Sequence, residues 1–326
     1  MSDSQWVSGA MVLGCGTFLG IGGSPRLIDH GLDESASLAT LDEAAALGLT
    51  MLDTAEVYAA GASESLIGRW LSERGGAVTA NVRITTKVAP PDDTGGLAFD
   101  AGFIEPIFAG SLDRLGVDHV DWLLTHAPHD TTPIEATLEA LEGIRASGRC
   151  RHIGGCNLDL GQLTEAIDTA ERLGITGYEL VQNGYSLLQP DDHSDLRRLC
   201  KERGLTFVAF SPLAGGALTG KYRRGEPPAA GTRLALRPDG VDELMTSAIH
   251  DAIDALAAHA QALGVSTGAL ALAWLTKLDD VTALITGPSR SAPHLALAAE
   301  AVNLQVPAEV VDDLTLLFRS APHSAS

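Results

Sequence analysis

Short runs of apolar and β-branched residues alternate along this chain with longer stretches in which apolar positions recur at helical spacing. The short runs are "MVLGCGT", "TMLDTA", "VRITTKV", "HVDWLLTHA", "RHIGGCN", "YELVQNGY", "TFVAFSP" and "VTALITGP". Their length and composition predict buried strands. Helical period runs over 34–47, 63–73, 100–115, 133–147, 160–173 and 195–203. Most of these stretches end at a glycine (Gly48, Gly116, Gly148, Gly174 and Gly204). Glycine readily takes the left-handed conformation that stops a helix. The stretches "GASES" and "HDTTPIEA" carry residues suited to capping a helix N-terminus.

Eight strand runs with helices between them predict an α/β protein, a (β/α)8 TIM barrel, in one domain over residues 1–326. A doubly wound open sheet is the competing assignment. The strand count and the lack of a linker between two halves favour the barrel. Residues 221–240 are rich in Pro, Gly and Arg and predict a long loop after the seventh strand. Loops of that length are often functional. Residues 241–276 predict two helices before the last strand, and the chain closes with C-terminal helical sequence.

Composition narrows the function classes. The net charge is −20, which repels phosphate backbones and anionic lipid and argues against nucleic-acid or membrane partners. Cys15, Cys150, Cys156 and Cys200 show neither CxxC spacing nor a metal-finger pattern, so no metal is expected. Reduced thiols, no signal-peptide pattern at the N-terminus and no apolar run near the roughly 18 residues of a membrane span give a cytoplasmic expectation.

The C-terminal strand ends of a barrel, with the loops after them, form its functional face. The second strand run ends on Asp53, with Tyr58 after it; the third carries Lys87; the fourth leads to His126. Singly, these read as a turn former, a solvated rim residue and a satisfied histidine, with His129 a competitor for His126. Together they form a matched set on adjacent strands. A phenol ordinarily titrates near pH 10, and a neighbouring ammonium lowers that value. Lys87 supplies the ammonium, Asp53 keeps it charged, and His126 orients a substrate carbonyl. Tyr58 then serves as general acid in reduction or general base in oxidation. None of the four carries electrons, so a hydride carrier is required.

The segments "LDTAEVY", "ITTKV" and "LLTHAP" resemble the tetrad-bearing segments of the aldo-keto reductase superfamily. In order, "HIGGCN", "VQNGYSLL", "AFSPLAGGALTGKY" and "ITGPSR" resemble the family's IGxSN, QxxYS, SPLxxGxLTGKY and PGxS/R segments, over about residues 10–305. The resemblance implies NADPH as cofactor, more rarely NADH, and a small carbonyl substrate. It implies that Asn157 and Gln182 hold the nicotinamide carboxamide and that Tyr185 stacks under the ring. Ser211, Leu213, Gly215 and Lys221 would meet the pyrophosphate; Ser289, Arg290 and His294 would meet the adenosine end. Arg290 favours NADPH, because a guanidinium suits a phosphate dianion. The spacing "VYAAGASE" is similar to the aflatoxin-aldehyde and succinic-semialdehyde reductase branch, which reduces aldehydes and some ketones.

The match is incomplete. Cys156 stands where the family has serine, and the Glu-Asn pair at the adenine end is missing. The G-x-G in "GCGTFLG" is not a dinucleotide fingerprint; its Phe18 and Leu19 are expected to wall the substrate pocket. His129, Tyr222 and the Arg223–Arg224 pair are further pocket candidates, and Trp122 is expected in the core. Two rivals share the pattern: an oxidative sugar or alcohol dehydrogenase, and a cofactor-sensing regulatory subunit with little turnover. The sequence does not distinguish a monomer from a homo-oligomer.

Overall fold

A computed structural model of the chain describes residues 9–91, 96–236, 245–288 and 294–321. Each β-branched run becomes a strand: β1 Ala10–Gly14, β2 Met51–Asp53, β3 Arg83–Val88, β4 Val120–Thr125, β5 Cys150–Cys156, β6 Leu180–Gly184, β7 Thr206–Phe210 and β8 Ala283–Thr286. Neighbours pair in parallel in chain order, and β1 pairs with β8 from Ala10↔Ala283 to Leu13↔Thr286. The ring is therefore a closed (β/α)8 TIM barrel, with no open sheet edge between β1 and β8.

Between the strands run α1 Glu34–Ala46, α2 Ala62–Arg74, a short α3 Gly76–Thr79, α4 Ala101–Leu115, α5 Ile134–Ala146, α6 Leu160–Leu173 and α7 Ser194–Arg203. After β7 come α8 Arg233–Leu236, α9 Ser247–Leu263 and α10 Thr267–Thr276; after β8 come α11 His294–Asn303 and α12 Ala308–Arg319. The glycine stops behave as expected: Gly116, Gly174 and Gly204 close α4, α6 and α7 at φ of 65°, 66° and 69°. Two of the expected caps do not form. In "GASES", α2 starts from Gly61 without a side-chain cap, and Ser63 turns inward to Thr54 Oγ1 and the Cys15 carbonyl. In "HDTTPIEA", α5 starts from Pro133, and Thr132 Oγ1 accepts from the Phe99 amide instead. Aspartates cap α1, α4 and α6 through Asp33, Asp100 and Asp159.

Strand alternation divides the core in two. Val12, Trp122, Leu124, Cys156, Leu180, Val208 and Ile285 pack together inside the barrel. Their neighbours Leu13, Leu123, Val181, Phe207 and Leu284 pack outward under the helices. Trp122 is buried as expected and stacks on His152 with centroids 4.5 Å apart. Strands β5 and β6 meet closely at Gly154, where a Cβ would sit 2.5 Å from the Leu180 carbonyl oxygen and 2.8 Å from Leu124 Cδ2. Gly154→Ala is therefore expected to cost about 1–3 kcal/mol of overpacking, read as a lower urea midpoint with an unchanged slope.

Past β7 the chain makes a tight 3-10 segment, Ala214–Thr219, before α8. The rest of the loop expected over 221–240 is described to residue 236. No single helix among the described residues is long and apolar enough to cross a membrane.

Candidate active site

The C-terminal strand ends surround a cleft of about 380 Å³. Asp53, Tyr58, His126, Asn157, Gln182, Phe210, Ser211, Leu213, Gly215 and Lys221 line it, so most of the residues expected at the site come together. Lys87 lies beneath, fully buried. Its ammonium donates to Asp53 Oδ1 at 2.6 Å and to the Thr54 carbonyl at 2.8 Å, and lies 3.4 Å from Tyr58 Oη. An ammonium has three donors, and these are three partners. The other Asp53 oxygen, Oδ2, accepts from Gln182 Nε2 at 2.8 Å, and Gln182 Oε1 accepts from the Cys156 thiol at 3.6 Å. Gln182 thus braces Asp53 from the far side of the barrel. Asn157, in a left-handed conformation at φ 57°, donates to the His126 carbonyl at 2.8 Å.

Electrostatics revise one expectation. Burial lifts the Tyr58 pKa, and Lys87 offsets this only in part, so the phenol titrates above its ordinary value. The hydroxyl is therefore protonated at neutral pH. Burial also opposes the Lys87 charge, but Asp53 and then Tyr58 outweigh it, and the net shift is upward. Burial, followed by the Lys87 charge, pushes His126 down to about 3, so its imidazole is neutral in the working range. The His126 ring meets Tyr58 edge-on, with centroids 5.6 Å apart.

Tyr58 leads directly into an unusual turn. Ala59, Ala60 and Gly61 are all left-handed, with φ of 48°, 55° and 88°. Left-handed helical geometry costs an L-residue about 1–2 kcal/mol, so the two alanines store roughly 2–4 kcal/mol. Surrounding contacts must hold such a turn. On one side the β1 loop backs it: a Cβ on Gly16 would lie 3.4 Å from the Tyr58 ring, and one on Gly20 would lie 3.1 Å from Ala59 Cβ.

Several expected residues lie elsewhere. Tyr185 does not line the cleft. It is buried under the helices, donates to the Pro190 carbonyl at 2.8 Å, and has the Arg197 guanidinium 4.2 Å from its ring centroid. Strand parity explains this: Gln182 faces the cleft, so Tyr185, three positions on, faces outward. Besides Tyr58 and His126, the aromatic ring that lines the cleft among the described residues is Phe210. Phe18 is core, and glycines 14, 16, 22 and 23 form the wall expected of Phe18 and Leu19. Tyr222 is a buried strut whose hydroxyl donates to the Gly215 carbonyl at 3.0 Å. His129 pairs with Thr132 outside the cleft, and Arg224 pairs with Asp251. Ser289 and Arg290 lie outside the described residues, as does the side chain of His294, which opens α11.

Two cations in its wall suit the cleft to a ligand that carries negative charge. Lys221 and Arg233 both line it. A Cβ on Gly216 (φ 94°) would sit 2.5 Å from Lys221 Nζ, so the cation lies against bare backbone. Thr286 Oγ1, in the same wall, is buried without a hydrogen-bond partner among the described residues. A ligand atom would satisfy it. Arg233 carries no sequence signal that marks it as a site residue; Thr286 lies within the "ITGPSR" segment, next to the residues expected to act there.

Three relatives and one solved structure place these features in context. A family model described as the Aldo/keto reductase family matches residues 12–317. A probable voltage-gated potassium channel subunit beta from Oryza sativa subsp. japonica is 32% identical, over 89% of this chain and 90% of the relative. An NADH-specific methylglyoxal reductase from Escherichia coli (strain K12) is 28% identical, over 84% of this chain and 85% of the relative. An aflatoxin B1 aldehyde reductase member 2 from Rattus norvegicus is 35% identical, over 59% of this chain and 51% of the relative. The solved structure of the thermostable aldo-keto reductase Tm1743 with the inhibitor epalrestat superposes with a TM-score of 0.71 at 25% identity, covering 94% of each chain.

Proposed function

Because this chain belongs to the aldo/keto reductase family, we propose that it reduces an aldehyde or ketone with NADPH, and that Tyr58 delivers the proton. The observation carrying this reading is the buried Lys87 ammonium, bonded to Asp53 and 3.4 Å from Tyr58 Oη on the floor of the cleft. When bound, the nicotinamide cofactor supplies the hydride; the chain supplies everything else. Lys221, Arg233, Ser211 and Thr286 would hold it, with Phe210 as the aromatic face beside it. The neutral imidazole of His126 hydrogen-bonds and orients the carbonyl. The Tyr58 hydroxyl protonates the nascent alkoxide, and Lys87 stabilises the phenolate left behind. Asp53, braced by Gln182, keeps Lys87 in place. The same groups serve alcohol oxidation in reverse. NADPH is proposed over NADH on Arg290 alone.

The test is steady-state loss of reduced-nicotinamide absorbance over a panel of aldehydes, with NADPH and NADH in parallel. Turnover is expected, with lower KM for NADPH. The pH profile follows from the shifts: Tyr58 stays protonated and His126 neutral, so kcat/KM for reduction is expected to be flat from about pH 5 to about pH 9. A break near the ordinary histidine value would show that burial and Lys87 do not hold His126 neutral through this range. The likeness to the rice channel subunit favours a second reading, a cofactor-binding regulatory subunit. Tight NADPH binding without aldehyde turnover would select it.

A further inference from the structure

The left-handed turn after Tyr58 raises the question of what keeps it closed. Helix α2 starts at the turn, so whatever fixes the first turn of α2 fixes Tyr58. Two adjacent side chains there point into the protein. Ser63 Oγ lies 3.0 Å from Thr54 Oγ1 and donates to the Cys15 carbonyl at 3.2 Å. The Thr54 carbonyl is one of the Lys87 acceptors. The Glu64 side chain is completely buried, and its Oε1 accepts from Thr86 Oγ1 at 2.5 Å, one residue before Lys87 on β3. A buried carboxylate requires a charge partner, and Arg114 of α4 supplies it, with Nε donating to Glu64 Oε2 at 2.7 Å.

Arg114 also touches the turn. A Cβ on Gly61 would lie 2.9 Å from both Arg114 Cδ and Nε, so the arginine stem lies across the bare Gly61 backbone. Helices α2 and α4 approach so closely that a Cβ on Gly68 would be 2.3 Å from the Arg114 carbonyl oxygen. The turn's own amide contact to the β1 loop is long, Ala59 N to Gly22 O at 3.4 Å. The Arg114 side chain is one-third exposed, at 33%, so the clamp runs from the surface to the back of the catalytic strands.

We propose that Glu64 and Arg114 are positioning residues for Tyr58. Their ion pair presses the Ala59–Gly61 turn closed and so sets the Tyr58 hydroxyl beside Lys87. Neither touches the cleft; both act through the turn. This rests on the reductase reading for its kinetic consequence, but not for its structural one.

The test replaces the pair together, Glu64→Met with Arg114→Met, because removing one partner alone strands a buried charge. Protein labelled with carbon-13 at tyrosine Cζ gives a signal for each of the four tyrosines, Tyr58, Tyr178, Tyr185 and Tyr222. The Tyr58 signal is assigned by its loss in Tyr58→Phe. In the double variant the Tyr58 resonance is expected to shift or broaden while the other three hold. The kcat is expected to fall about tenfold or more, as for a misplaced general acid, with NADPH affinity by fluorescence titration unchanged. An unmoved Tyr58 resonance overturns the proposal whether or not the wild type turns over aldehydes; absence of wild-type turnover overturns the reductase reading instead. If the double variant does not fold, Arg114→Lys serves. It keeps the charge but loses the planar Nε contact over Gly61, and the same Tyr58 shift is expected, smaller in size; no shift overturns the proposal.

Discussion

Tyr58→Phe is expected to lower kcat for aldehyde reduction by about a hundred- to ten-thousand-fold, the range for loss of a positioned general acid. Cofactor affinity should not change. The substitution removes one atom, Oη, and keeps the ring in its slot between Gly16 and the edge of His126. What is lost is the protonated hydroxyl in contact with the Lys87 ammonium, the tyrosine oxygen at 3.4 Å. Steady-state kinetics with a fluorescence titration of NADPH separates the two effects. A variant with wild-type kcat would show that the proton comes from elsewhere and would dismantle the tetrad assignment.

Lys87→Met should be nearly as damaging to rate and far more damaging to stability. Two of its three partners, Asp53 Oδ1 and the Thr54 carbonyl, are left without a donor in the protein's interior. Stranding one member of a buried ion pair costs about 3–5 kcal/mol. The phenol also loses the one group that lowers its pKa, so its titration moves further up. Pairing the change with Asp53→Asn should recover much of the stability and none of the activity. Linkage gives a further sign. The Lys87 pKa is raised in the folded state, so its contribution is fully present below the unfolded value near 10.4 and fades as pH rises through the folded one. Urea unfolding of wild type and Lys87→Met should therefore converge at strongly alkaline pH. Parallel curves across that range would show that the ion pair is not the source of the stability.

The barrel was legible because a buried parallel strand has a strong sequence signature, and eight of them in alternation with helices leave few topologies. Asp53, Lys87 and His126 were legible for a related reason: a charge or imidazole where an apolar run ends is visible without coordinates. Phe210 was not, because an apolar ring lining a cleft has the same sequence pattern as one in a core. Tyr185 was misplaced by motif position, although strand parity counted from Gln182 puts it on the outer face. The glycines of the β1 loop line the cleft through backbone, which leaves no side-chain signal. The direction of the Tyr58 shift depends on how densely its surroundings exclude water, which no local spacing encodes. Ser63 has the chemistry of a cap and does another job, because the strand behind it offers a carbonyl and a hydroxyl within reach.

Closure of β1 onto β8 divides labour along the chain. Asp53, Tyr58, Lys87 and His126 all precede β5, whereas Gln182, Phe210, Lys221, Arg233 and Thr286 all lie in or after β6. The residues proposed to handle the proton are thus synthesised well before Phe210, Lys221, Arg233 and Thr286 of the same cleft. Ala10 has no strand partner on the β8 side until Ala283 has been made, and Asp53 Oδ2 waits for Gln182, 129 residues downstream. Joining such distant segments carries a loop-closure cost that local helices do not repay until the ring shuts. The cleft that gathers these residues is therefore complete only once the last strand is in place.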